Sequence, residues 1–128
     1  MNDQAYSTQS SSVAPRSERV ISHALVEVRR WKMWPFGVHS AVLLDLSETG
    51  FKIEFTGSAA LKAGDKRILQ IPLAPFGISS PSHISCDVTV KWFDLAKMRV
   101  GGVFENIDAP SRVFLDKIIE RVKNQGFN

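Results

Sequence analysis

The segment Ile84-Ser85-Cys86-Asp87-Val88-Thr89-Val90-Lys91-Trp92-Phe93 decides the fold class, because Ile84, Cys86, Val88, Val90 and Trp92 recur at a strict spacing of two. An extended chain turns successive side chains to opposite faces, so this period predicts one strand face in a core and one, bearing Asp87 and Lys91, toward water. Downstream, Asp94-Leu95-Ala96-Lys97-Met98 is a short connection into a further strand, Arg99–Phe104, and strands joined so tightly pair antiparallel. Upstream, Pro72, Pro75, Gly77 and Pro81 break the chain into a loop that follows an alternating segment, Arg67–Leu73. Before it, Phe51–Phe55 alternates with Phe51, Ile53 and Phe55 on one face, and Val38–Leu46 precedes it across the turn Ser47-Glu48-Thr49-Gly50, which makes a hairpin. The first strand is expected over Val20–Trp31, where Ile21, Leu25 and Val28 stand among polar neighbours.

After Phe104 the period changes to that of a helix. Val113, Phe114, Ile118, Ile119 and Val122 recur with Asp116, Lys117, Glu120 and Arg121 between them, Asp108 before Pro110 is a fitting N-cap, and Gly126 a fitting stop. The stripe Val113, Phe114, Ile118 and Val122 is expected to pack on the core rather than to form a dimer seam. The fold class is therefore mainly β: a six-stranded antiparallel barrel, closed or nearly so, with a C-terminal helix against an opening or face.

A chain of 128 residues and 14.2 kDa supports one domain. Residues 1–14, polar and without apolar period, are expected as a flexible tail, 15–124 as the domain and 125–128 as a second tail. The single cysteine, Cys86, excludes an intrachain disulfide framework, so a cytoplasmic location is expected. No run approaches the roughly 18 apolar residues of a membrane span, and the N-terminus lacks the pattern of a signal peptide, so no membrane insertion is expected. A net charge of +3 and a pI near 9.2 favour anionic partners.

The catalytic inventory is thin. His23, His39 and His83 fall on separate strands or strand ends without metal-ligand spacing, and Cys86 alternates with core residues. The chain has neither a nucleophile elbow nor a phosphate loop, and Gly101-Gly102 is only a doublet inside a strand. Glu48, Glu54, Asp65 and Asp87 are scattered at turns and on polar faces. Neither an enzyme nor a cofactor is expected. A nucleic-acid polymer is a poor fit as well, since basic and aromatic residues do not interleave on the strand faces.

Two strings remain: Asp45-Leu46-Ser47-Glu48-Thr49-Gly50, and the arginine-bearing Pro15-Arg16-Ser17-Glu18-Arg19-Val20. Together they resemble the PilZ domain, a bacterial receptor module for cyclic di-GMP, recognised by Arg-x-x-x-Arg before the first strand and Asp/Asn-x-Ser-x-x-Gly between the second and third. Gly50-Phe51-Lys52-Ile53-Glu54, Lys62-Ala63-Gly64-Asp65, Val90-Lys91-Trp92 and Arg99–Phe104 look like the family's later strands in order, so the resemblance covers about Pro15 to Val122. It implies a cyclic di-GMP site formed by Arg16, Arg19, Asp45, Ser47 and Gly50, and relay of the signal to a protein partner by a monomer or homodimer. The arginine string departs from the pattern. Arg16 and Arg19 have two residues between them rather than three, so in extended chain they project to opposite sides and face one ligand only if the segment bends. Arg29-Arg30 are alternative cations at the far end of the first strand.

These residue types suit the ligand. Arginine forks onto phosphate, pairs with guanine O6 and N7, or lies flat on a purine; a carboxylate such as Asp45 accepts from guanine N–H groups. Ser47 can donate to phosphate or fix the turn, and Gly50 is expected to supply a positive φ and a close backbone approach. The same three residues are also what a hairpin uses for its own bonds. In the aromatic loop Trp31-Lys32-Met33-Trp34-Pro35-Phe36, Trp31 is expected to be buried under the barrel end, and Trp34 and Phe36 to form a partner surface. The rival reading is an adaptor of the same fold that acts through protein contacts in motility, pilus or envelope machinery without the nucleotide.

Overall fold

The structure is a computed structural model that describes residues 24–31 and 36–126. Arg16, Arg19, His23 and Trp34 lie outside the described residues, as does the Val20–His23 part of the expected first strand.

Six antiparallel strands close into a barrel in the order β1-β2-β3-β6-β5-β4. They are β1 (Leu25–Arg29), β2 (Val38–Leu46), β3 (Gly50–Phe55), β4 (Lys66–Pro72), β5 (His83–Asp94) and β6 (Arg99–Phe104). A short 3-10 turn, Ala74–Phe76, lies between β4 and β5, and one helix, α1 (Ala109–Gly126), follows β6, running through Gln125 and Gly126 of the expected tail. Closure leaves no open sheet edge, and the inward residues of the strands fill the interior. Leu43, Ile53, Leu69, Ile71, Val90 and Val100 are at most 1% exposed.

The two mouths of the barrel are stopped differently. At one, α1 lays Leu115, Ile118, Ile119 and Val122 on the core, a stripe at i, i+3, i+4 and i+7. The expected stripe is thus rotated by part of a turn: Val113 is 52% exposed, Phe114 only partly buried, and Leu115 takes the core position. The expected N-cap is present, with Asp108 Oδ1 accepting from the Ser111 amide at 2.8 Å. At the other mouth, β3 and β4 lie on opposite sides of the ring, so their connection must cross the opening, and its Ala59 and Leu61 pack against the core.

Two β-bulges interrupt the ladders, one in β2 between Leu43 and Asp45, one in β5 between Val90 and Trp92. The second corrects the expected face of Trp92. Adding one unpaired residue, Lys91, inverts the alternation, so Trp92 leaves the core row and is 45% exposed while Phe93 packs inward. Trp31 also departs from expectation at 49% exposed, because the hairpin closes at Arg30 N–H to Gly37 O, 3.2 Å, and the β3–β4 connection already fills the mouth beneath.

Candidate functional site

The turn Ser47–Gly50 is built by its own hydroxyl. Ser47 N–H donates to Gly50 O at 2.9 Å, and Ser47 Oγ accepts from the amides of Thr49 at 3.3 Å and Gly50 at 3.1 Å. Ser47 Oγ also lies 3.3 Å from Gly50 O, to which it can donate. Ser47 is therefore spent on the turn. Asp45 is exposed, with Oδ1 accepting from the Leu46 amide at 2.9 Å. Gly50 does not have the positive φ expected of it. It is required by proximity instead, since a Cβ there would stand 2.6 Å from the Gly102 carbonyl oxygen on the neighbouring strand β6.

The remaining carbonyls of the turn are bound from a distance. Thr49 O accepts from the Phe104 amide at the end of β6, at 2.9 Å. Glu48 O accepts from Arg112 Nη1 on the first turn of α1, at 3.0 Å. Arg121, further along α1, donates to Phe76 O in the β4–β5 connection. The helix thus spans its mouth from the β2–β3 turn to the β4–β5 loop, nine residues or about 13 Å.

The bulge at Leu44 also decides what stands beside the turn. It puts Asp45 opposite Lys52, Lys52 pairs with Gly101, and Gly101 pairs with Trp92. One row thus runs across β2, β3, β6 and β5 on the outer wall, about 14 Å at the usual strand spacing. Its order is carboxylate, ammonium, glycine, indole. The glycine is needed because Trp92 lies over it: a Cβ at Gly101 would fall 2.2 Å from Cε2 and Nε1 of the indole. The sequence signal for this platform was the Gly101-Gly102 doublet paired with an aromatic, but the bulge that brings them together left no mark in the apolar spacing. In the next row, Arg99 Nε donates to Glu54 Oε1 at 2.9 Å and holds both side chains against the wall.

The start of β1 lies near this row. Ala24 O accepts from the Leu43 amide at 3.0 Å, so β1 meets β2 two residues short of Asp45. Arg19 stands five positions before Ala24 in the sequence, a length of chain that reaches at most about 17 Å. The alternative cations stand elsewhere, at the opposite rim: Arg29 Nε is 3.2 Å from Glu27 Oε1, and the Arg30 guanidinium is 5.0 Å from the centroid of the Trp31 ring. Phe36, at the same rim, is 68% exposed.

Other chemistry-bearing groups are occupied structurally. Thr89, buried, accepts from Lys66 Nζ at 2.8 Å and donates to Glu105 Oε2 at 2.7 Å. Burial pushes the Cys86 thiol up to about 11, which keeps it protonated and inert at neutral pH. Among the described residues no three His, Cys, Asp or Glu side chains gather as metal ligands, and no helix is long and apolar enough to cross a membrane.

The closed barrel of six antiparallel strands followed by a single helix is the fold of PilZ domains. The structure superposes on the crystal structure of the PilZ domain of CeSA from a cellulose-synthesizing bacterium with a TM-score of 0.55 and 13% identity, covering 78% of this chain and 92% of that one. It superposes on the Bacillus subtilis inhibitor of motility, MotI/DgrA, with a TM-score of 0.57 and 15% identity, covering 79% of this chain but only 47% of that one. No family model and no curated protein matches the sequence. By its fold, then, this chain is a PilZ-like domain.

Proposed function

We propose that this domain is a receptor for cyclic di-GMP that relays occupancy to a protein partner, a binding module of the cytoplasm without catalysis. The observation that carries this reading is the row Asp45, Lys52, Gly101, Trp92 on the outer wall, next to the Asp45–Gly50 turn and within reach of Arg19. A purine needs a carboxylate or other acceptor for its N–H edge and a flat surface for its face, and a phosphate needs a cation. Asp45, Trp92 and Lys52 offer these in one line, and Arg16 and Arg19 would close over the nucleotide from the segment before β1. The ring phosphates of cyclic di-GMP make it one of the anionic partners that the net charge of +3 favours.

The roles differ from those carried by the motif alone. Ser47 and Gly50 act by shaping the turn and closing the barrel, and Asp45 is the motif residue left to touch the ligand. Titration calorimetry of the full chain with cyclic di-GMP tests the reading: heat of binding is expected, abolished by Arg19→Ala and weakened by Asp45→Ala. Absence of heat at tens of micromolar, or binding indifferent to Arg19→Ala, would refute it.

Two observations favour the second reading, an adaptor independent of the nucleotide. The hydroxyl of Ser47 is committed to its own turn, and the two-residue gap between Arg16 and Arg19 puts them on opposite sides of an extended chain. In that case Trp34→Ala abolishes capture of a partner while added nucleotide changes nothing. The likeness to an inhibitor of motility is compatible with such a role.

A further inference from the structure

The rim opposite α1 has a composition that the nucleotide reading does not use. Strands alternate in direction, so the β1–β2, β3–β4 and β5–β6 connections all emerge at this end. Around the ring the β1–β2 pair faces the β5–β6 pair across the mouth. Each carries apolar side chains held out of the core: Trp31 and Phe36 on one, 49% and 68% exposed, and Leu95 on the other, 68% exposed. The apolar tips therefore straddle the opening rather than line a groove.

Among the described residues of these three connections the exposed charged side chains are all cationic. Arg30, Lys62 and Lys97 are exposed. The carboxylates beside them are half-buried and turned into their own loops: Asp65 Oδ2 accepts from the Lys62 amide at 3.0 Å and lies 3.5 Å from Arg67, and Asp94 Oδ1 accepts from the Lys97 amide at 3.2 Å. The helix end is mixed instead: Glu48, Asp108, Asp116 and Glu120 are exposed there, and so are Lys117 and Arg121. The described connections at the rim opposite α1 are thus cationic and apolar, whereas the helix-covered end carries both signs.

We propose that this rim docks on an anionic lipid surface. An indole with a guanidinium over its ring, as in Arg30 on Trp31, places an amphipathic ring at headgroup depth and a fork on phosphate. Phe36 and Leu95 would enter the same layer from either side of the mouth, while Lys62 and Lys97 meet the headgroup charge between and beside them. A deformable surface receives such separated tips one by one, whereas a protein partner would need a cleft matched to each. The contact is peripheral, with no chain crossing the bilayer.

Sedimentation of the full chain with vesicles is the test, using phosphatidylcholine alone and phosphatidylcholine mixed with the anionic lipid phosphatidylserine. Binding is expected on the phosphatidylserine vesicles only, declining as salt rises, with roughly a fivefold loss for Arg30→Gln or Lys97→Gln. The double variant Trp31→Ala, Leu95→Ala should lose about tenfold, since two exposed apolar anchors are removed. Val113→Ala, an equally exposed apolar residue at the helix end, should bind as the unaltered chain. Thermal melts of each variant serve as the control, with midpoints expected unchanged at these exposed positions. No binding to the anionic vesicles, equal binding to neutral ones, or equal losses from Val113→Ala and the double variant would each overturn the proposal. So would binding to an acidic protein by this rim with none to vesicles.

Discussion

The two mouths of this barrel show two ways of closing the same opening, and each leaves a different surface. At one, α1 is clamped on both sides by arginines, Arg112 on Glu48 O and Arg121 on Phe76 O, over four buried apolar side chains. At the other, a loop crossing from β3 to β4 supplies Ala59 and Leu61, neither fully buried. A helix brings a continuous apolar stripe and two ends that can be fixed, so what it touches is held in place. A loop plug covers less and leaves its neighbours projecting. The β2–β3 turn is consequently a fixed feature beside the outer wall, and Trp31, Phe36 and Leu95 at the far rim are left exposed.

The sharpest way to break this contrast is to cut the plug itself. Leu115 is fully buried under α1, and truncating such a leucine removes its burial and leaves a cavity, so Leu115→Ala should cost about 2–5 kcal/mol in urea melts. Leu61→Ala at the opposite mouth should cost clearly less, because its side chain is only partly covered. Equal losses would mean that the helix is no stronger a closure than the loop. Next in size is the wall between the mouths. A Cβ at Gly102 would stand 2.6 Å from Thr89 O and 2.8 Å from the Phe51 ring, so Gly102→Ala should overpack β6 by about 1–3 kcal/mol.

The wall then separates recognition from folding. Trp92→Ala removes an exposed ring from the outer face, so the melt should shift little. If the ring stacks on a base, a contact worth about 1–3 kcal/mol, cyclic di-GMP affinity should fall at least fivefold. Loss of stability without loss of affinity would return Trp92 to a merely structural role as the cover of Gly101.

How far the sequence discloses this arrangement depends on whether a feature is periodic or singular. Periodic signals were legible: the alternation in β3 and β5 and the helical spacing after Phe104 fix the barrel and helix, and β2 and β6 have the bounds their sequence predicts. The Asp45–Gly50 turn was legible too, because turn chemistry concentrates in a few residue types. What a one-residue insertion decides was hidden. Lys91 looks like any outward lysine in Val88-Thr89-Val90-Lys91-Trp92, yet its bulge moves Trp92 from core to wall and creates the row with Asp45. Gly50 is a related case: sequence shows that a glycine is needed but not whether for a positive φ or, as here, for the approach of another strand's carbonyl. The rotation of α1 that buries Leu115 in place of Val113 likewise follows from tertiary fit.

The smallest effect bears most directly on why the turn is fixed. Arg112 Nη1 is 3.0 Å from Glu48 O and 3.7 Å from Asp116 Oδ1, so the guanidinium serves both the turn and an i,i+4 pair within the helix. The side chain is 39% exposed, which screens both contacts and holds the loss for Arg112→Gln to about 0.5–1 kcal/mol. Asp116→Asn removes the ion pair and leaves the bond to Glu48, so it should cost no more than the few tenths usual for an exposed pair on a helix. The two variants differ most where stability is read residue by residue. If the guanidinium holds the turn, amide exchange at Thr49 and Gly50 quickens in Arg112→Gln and stays slow in Asp116→Asn. If both variants leave those amides alone, the turn is held by Ser47 and by the Phe104 amide on Thr49 O, and α1 closes its mouth without steadying the outer wall.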